Sequence, residues 1–206
     1  MNNKKSQFYL SQCIDAALKS PMSFTLGSII VKGGKVVSSG FNHQRTNYDE
    51  LTLETAHCKA ISMHAEMHAI WNLTRGRAPP FKQLLQPCAS VAPKRKSRPG
   101  SSSSRSSQPC QTKLANADGR RRKGDLGREY RVSGDLYVAR ITKKTGKLGC
   151  AKPCWRCVEW CDWVGIKRIF HWSEEEGGFC CIKVSEAKRA AYATQADLRV
   201  SMCAHL

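Results

Sequence analysis

His64-Ala65-Glu66 and Pro153-Cys154-Trp155-Arg156-Cys157 bring together one imidazole, one carboxylate and two thiols. A catalytic zinc takes three protein ligands and leaves its fourth position to water. His64, Cys154 and Cys157 would supply the ligands, and zinc would lower the pKa of that water towards ~7. Glu66 would then take the proton and carry it to a substrate. In a chain with 8 Pro, 11 Cys and 6 His, the two motifs together are expected by chance only about 0.006 times. Each also falls at the start of a predicted helix, where the positive end of the helix dipole favours thiolates.

Cys150 and Cys161 flank the two candidate ligands, so four nearby thiols could instead form a closed zinc site or hold an iron-sulfur cluster. That reading leaves His64 and Glu66 unexplained. On a helix, Cys161 would also lie about 6 Å further along the axis than Cys157, against a zinc–sulfur distance of ~2.3 Å. Cys161 reads better as a small buried apolar residue. His57, Cys58 and His68 near the first motif read as packing or surface groups. Trp155, Trp160 and Trp163 could line a base-stacking pocket, but aromatic residues on a helix beside a sheet are usually core. Trp155, between the two cysteines, is kept as a substrate-binding candidate.

The elements that must position these residues follow from periodicity. Ser6 to Lys19 has helical spacing ended by Ser20-Pro21. Thr25 to Val31 and Lys35 to Phe41, joined by Gly33-Gly34, form a hairpin. Thr52 to Leu73 contains a helical pattern ending near Gly76, with His64 near the start of its buried part. Asp135 to Ile141 is strand-like, Pro153 to Val164 helical and Ile166 to Trp172 strand-like. Phe179 to Val184 is a further strand only six residues on, too close for a parallel crossover, so it should pair antiparallel. Ser185 to Thr194 ends the pattern as a short helix.

At 206 residues the chain suits one sizeable core, residues 1–206 as a single domain. Residues 86–132 break it: they are serine- and proline-rich with no period, and read as a disordered insertion. They carry twelve Lys or Arg against three acids, a net +9 and half of the formal charge of +18. The total favours polyanionic partners such as nucleic acid. The basic clusters at 93–96 and 120–123 resemble halves of a nuclear import signal or a nucleic-acid tether, and equally suit a loop kept extended by its charge. No segment reads as a signal peptide or a membrane span, which predicts a nuclear or cytoplasmic protein with no membrane partner. An odd number of cysteines, four of them crowded together, favours metal over disulfides there. A homo-oligomer is left open.

His64, Glu66, Cys154 and Cys157 match the H-x-E and P-C-x-x-C signature of the zinc-dependent cytidine and deoxycytidylate deaminase superfamily position for position, and the chain resembles that family outside its insertion. The resemblance implies an α/β fold, a three-layer α/β/α sandwich around a mixed sheet of about five strands. It implies Zn2+ as cofactor and Glu66 as general acid/base. Ser39-Gly40-Phe41-Asn42 resembles the end of the family's second strand, where an asparagine often contacts substrate, which makes Asn42 a candidate. The implied reaction is hydrolytic deamination of a nucleobase, cytosine to uracil in a nucleoside, nucleotide or single-stranded nucleic acid. Adenosine deamination on tRNA or other RNA, and a non-catalytic deaminase-like subunit that binds nucleic acid, are the alternatives. Two departures stand out: 88 residues separate Glu66 from Cys154, and Lys152-Pro153 differs from what usually precedes the first cysteine in the tRNA adenosine and deoxycytidylate branches.

Overall fold

The computed structural model of the chain describes residues 3–45, 62–79, 131–190 and 192–194. Helix α1 (Asn3–Leu18) leads into strands β1 (Phe24–Lys32) and β2 (Lys35–Phe41), followed by the short β3 (His43–Gln44) and β4 (Ser62–Met63). Helix α2 (Ala65–Leu73) follows, then β5 (Asp135–Thr142), β6 (Leu148–Gly149) and α3 (Trp155–Val164). Strands β7 (Arg168–Ser173) and β8 (Gly178–Lys183) and helix α4 (Val184–Ala190) complete the order.

The main sheet runs β2-β1-β5-β7-β8, with β6 added beside β5. Only β5 and β7 pair in parallel, and β8 returns antiparallel to β7 as the short connection requires. Alternation along the strands divides the core into two layers. Ile30, Leu136, Val138 and Ile169 pack under α2 and α3, together with Met67, Ile70, Val158 and Trp160. The opposite face presents Ile29, Val31, Tyr137 and Phe170 to Tyr9 and Cys13 of α1. The result is the expected α/β/α sandwich on a mixed sheet.

Small residues let the helices come close. A Cβ on Gly40 would lie 2.2 Å from the Ala69 nitrogen and one on Gly27 2.0 Å from the Cys13 carbonyl, so no larger residue fits either contact. Ser28 and Ser38 then donate to the α2 carbonyls of Ala65 and Ala69, each at 2.7 Å. These bonds fix the height of α2 over the β1–β2 hairpin, and with it the height of His64 and Glu66.

Several boundaries differ from the sequence expectation. The helix expected within 52–73 starts at Ala65, because Ser62 and Met63 are held extended by pairing with Gln44 and His43. The last helix ends at Ala190 rather than Thr194. Strand β6 is an addition, formed as the chain turns back at Gly146 and pairs Gly149 with Arg140. The expected insertion lies outside the described residues except for Arg131 and Val132. Val132 donates to the Val164 carbonyl at 2.8 Å and packs on the core, so this last residue of the expected insertion belongs to the packed structure. Among the described residues no helix is long and apolar enough to cross a membrane.

Candidate metal centre and substrate cavity

His64 and Cys154 are the N-cap residues of α2 and α3, both extended, with φ/ψ of −74°/157° and −80°/166°. Placing ligands at two helix starts aims both dipoles' positive ends at one point. Cys157 sits one turn into α3, so its thiol rises beside that of Cys154. Gly165, at φ 82°, closes α3 with a bond from Ile166 N–H to the Cys161 carbonyl at 2.9 Å, which stops the helix before β7.

The Cys154 and Cys157 sulfurs are 3.6 Å apart, and His64 Nδ1 lies 3.4 and 3.3 Å from them. A tetrahedral zinc with Zn–S of about 2.3 Å and Zn–N of about 2.0 Å requires separations of about 3.7 and 3.5 Å. The three atoms therefore fit zinc without rearrangement. They form the one group of three or more metal-ligating side chains among the described residues. Cys150 and Cys161 stand outside it: Cys150 is exposed, whereas Cys161 is buried in the core, its thiol pushed well above the ordinary value by burial.

Glu66 is 3% exposed, and its Oε2 has no hydrogen-bond partner among the described residues. Burial pushes its carboxyl above the ordinary carboxylate value, with the His64 charge opposing the shift. A carboxyl tuned upward in this way can hold a proton between abstraction and delivery.

These residues open into a cavity of about 740 Å³, whose wall includes His64, Glu66, Cys154, Asn42 and Arg140. Asn42 is tied to the backbone of β1. Its Oδ1 accepts from Leu26 N–H at 2.8 Å and its Nδ2 donates to the Phe24 carbonyl at 2.7 Å, so the side chain continues the ladder where β2 has ended. One Nδ2 proton remains for a ligand. Trp155, the first residue of α3, is not among the cavity-wall residues and packs partly buried against the core; Trp160 is fully buried and Trp163 packs on the same cluster. Phe41 N–H donates to His68 Nδ1 at 3.1 Å, which ties α2 to β2. His57 and Cys58 lie outside the described residues.

Sequence reasoning passed over Arg140, Lys152, Phe24 and Tyr192, all on the cavity wall. Arg140 had a signal. It shares the face of Leu136 and Val138, so a cation stands where strand alternation calls for a core residue.

A family model for the cytidine and deoxycytidylate deaminase zinc-binding region matches residues 3–173. Among solved structures, the chain is similar to cytidine deaminase from Burkholderia pseudomallei, at 14% identity over 90% of this chain and 98% of that one, with a TM-score of 0.46. It is similar also to dCMP deaminase from the cyanophage S-TIM5, at 12% identity over 93% and 95% of the two chains, with a TM-score of 0.42. Comparison with curated protein sequences finds no significant match. With the family match spanning most of its length, the chain belongs to the zinc-binding cytidine and deoxycytidylate deaminase family.

Proposed function

We propose that the protein hydrolyses the exocyclic amine of a nucleobase, converting cytosine to uracil, with His64, Cys154 and Cys157 as zinc ligands and Glu66 as proton carrier. The observation that supports this most is the Glu66 carboxylate, buried beside three metal-ligating atoms with one oxygen unpartnered among the described residues. A purely structural metal site has no use for such a group. Zinc held by these ligands supplies the Lewis acidity that makes a water nucleophilic near neutral pH.

Glu66 accepts a proton from that water and delivers it to the ring nitrogen of the base. A C–O bond forms at the carbon bearing the amine, the C–N bond breaks, and Glu66 relays the second water proton to the departing ammonia. One water is consumed and one ammonia released. Asn42 contributes its free Nδ2 proton at the cavity wall, while its other bonds hold Phe24 and Leu26 in place.

The test offers zinc-loaded protein cytidine, deoxycytidine, deoxycytidylate, a single-stranded oligonucleotide and tRNA, with product read by mass spectrometry. A mass gain of about 1 Da at cytosine is expected, from replacement of NH2 by OH. No product from any substrate would overturn the reading, and product at adenine alone would move it to the other base.

A further inference from the structure

We infer that the cavity mouth is built for a base carried on a single-stranded nucleic acid, with Phe24 and Tyr192 stacking neighbouring bases and Arg140 and Lys152 holding the phosphates between them. The inference rests on the deaminase reading for the identity of the central base, but its physical basis is the mouth itself.

Five large hydrophobic residues are exposed among the described residues, and two of them stand on this one wall: Phe24 is 63% exposed and Tyr192 41%. They come from separate parts of the chain, the start of β1 and the segment after α4. Each carries a cation on one ring face. The Arg140 guanidinium lies 4.8 Å from the Phe24 centroid, and the Lys152 ammonium 5.2 Å from that of Tyr192. Register explains the first pair: Leu26 opposes Arg140, so alternation turns Phe24, Leu26 and Arg140 to the face that holds the metal ligands. Backbone pairing supports the second, since the Tyr192 carbonyl accepts from Trp155 N–H at 2.7 Å, next to Cys154.

Neither cation has an ion pair among the described residues, and Glu66 is the sole carboxylate among the described residues of the cavity wall. The mouth thus combines two cations without an ion pair among the described residues and two exposed ring faces. Aromatic platforms beside a positive groove are how single strands are held without base pairing. One base goes to the metal, so two further stacking surfaces exceed what a free nucleoside or mononucleotide can use.

The test measures fluorescence anisotropy of a labelled ten-nucleotide deoxyoligonucleotide with a central cytosine, titrated with the zinc-loaded full chain across a salt series. Phe24→Ala or Tyr192→Ala should each weaken binding on the order of tenfold. Arg140→Gln or Lys152→Gln should each flatten the slope of log K against log salt by about 0.7, the value for one lost phosphate contact on a single strand. Arg140→Lys should restore that slope, which separates loss of charge from misfolding. Unlabelled oligonucleotide should displace the probe at least about tenfold more effectively than deoxycytidylate, since each added base stacks. Binding and slope unchanged in all four variants would overturn the inference and place the strand elsewhere, as on the basic clusters at 93–96 and 120–123. Equal displacement by deoxycytidylate would also overturn it. Binding that depends on the mouth, without deamination of any substrate, would uphold the inference while removing the deaminase reading.

Discussion

The two ends of the main sheet each carry a cavity, of about 740 Å³ at the metal ligands and about 680 Å³ at the opposite end. Both have cations on their walls. At the far end two of three are paired in place: Arg168 makes two bonds to Asp135, at 2.8 and 2.7 Å, and Lys183 pairs with Glu186 at 3.2 Å, whereas Lys167 has no ion pair among the described residues. At the metal end Arg140 and Lys152 rest on aromatic rings, and Glu66 is the one carboxylate among the described residues of that wall. Size does not distinguish the two cavities. Charge compensation does in part: two of the three far-end cations are paired within the fold, whereas neither Arg140 nor Lys152 has an ion pair among the described residues.

Removing a ligand should separate the ends most sharply. Cys157→Ala is expected to lower bound zinc from one per chain to near none and to cut deamination at least about 10³-fold, read by elemental analysis and product formation. Asp135→Ala at the far end should leave zinc stoichiometry and turnover as they are. It should cost only about 1 kcal/mol of stability, since the Arg168 side chain is 55% exposed and solvent screens the pair. Zinc loss in the Asp135 variant would break the comparison.

Backbone contacts differ in the same direction. Gly40→Ala drives a methyl into α2 between Ala65 and Ala69, and urea unfolding should show a loss of about 3 kcal/mol or more. Gly33, in the hairpin turn at the far end, meets nothing within 4 Å but has φ +57°. Gly33→Ala should therefore cost only about 1 kcal/mol, the strain of a left-handed alanine. Equal losses would mean that α2 is not seated on the hairpin as closely as the geometry requires.

The smallest effect concerns pH. His171, half-buried on β7, has its pKa lowered by burial and by the Lys152 charge, with Glu176 opposing. Its folded pKa lies below its unfolded value of about 6.5, so the unfolded chain takes up the proton first. Stability present above pH ~6.5 is therefore lost as pH falls towards the folded pKa. Thermal melts between pH 7.5 and 5 should show His171→Gln losing less stability on acidification than the parent. An identical slope would mean that His171 is not desolvated.

Much of the scaffold was legible because local rules suffice for it. Gly33-Gly34 marks the hairpin, and six residues after Trp172 force an antiparallel return. The four motif residues were legible because zinc chemistry restricts both residue type and spacing. The cavity wall was not, because register assembles it from distant segments: Arg140 meets Leu26 across 114 residues. Tyr192 fell within the short helix expected over 185–194, which ends at Ala190, so nothing in the pattern pointed to the cavity. Trp155, singled out for its place between two ligands, packs partly buried against the core and is not among the described residues of the cavity wall. Strand β6 is two residues long, too short for any period to register.

The central claim is that three residues hold a metal and a fourth moves protons. Zinc content and cytosine turnover measured on one preparation of Glu66→Ala test it most directly. The account predicts one zinc per chain, as in the parent, with turnover reduced by about 10²- to 10⁴-fold. Undiminished turnover, or loss of zinc together with activity, would contradict it.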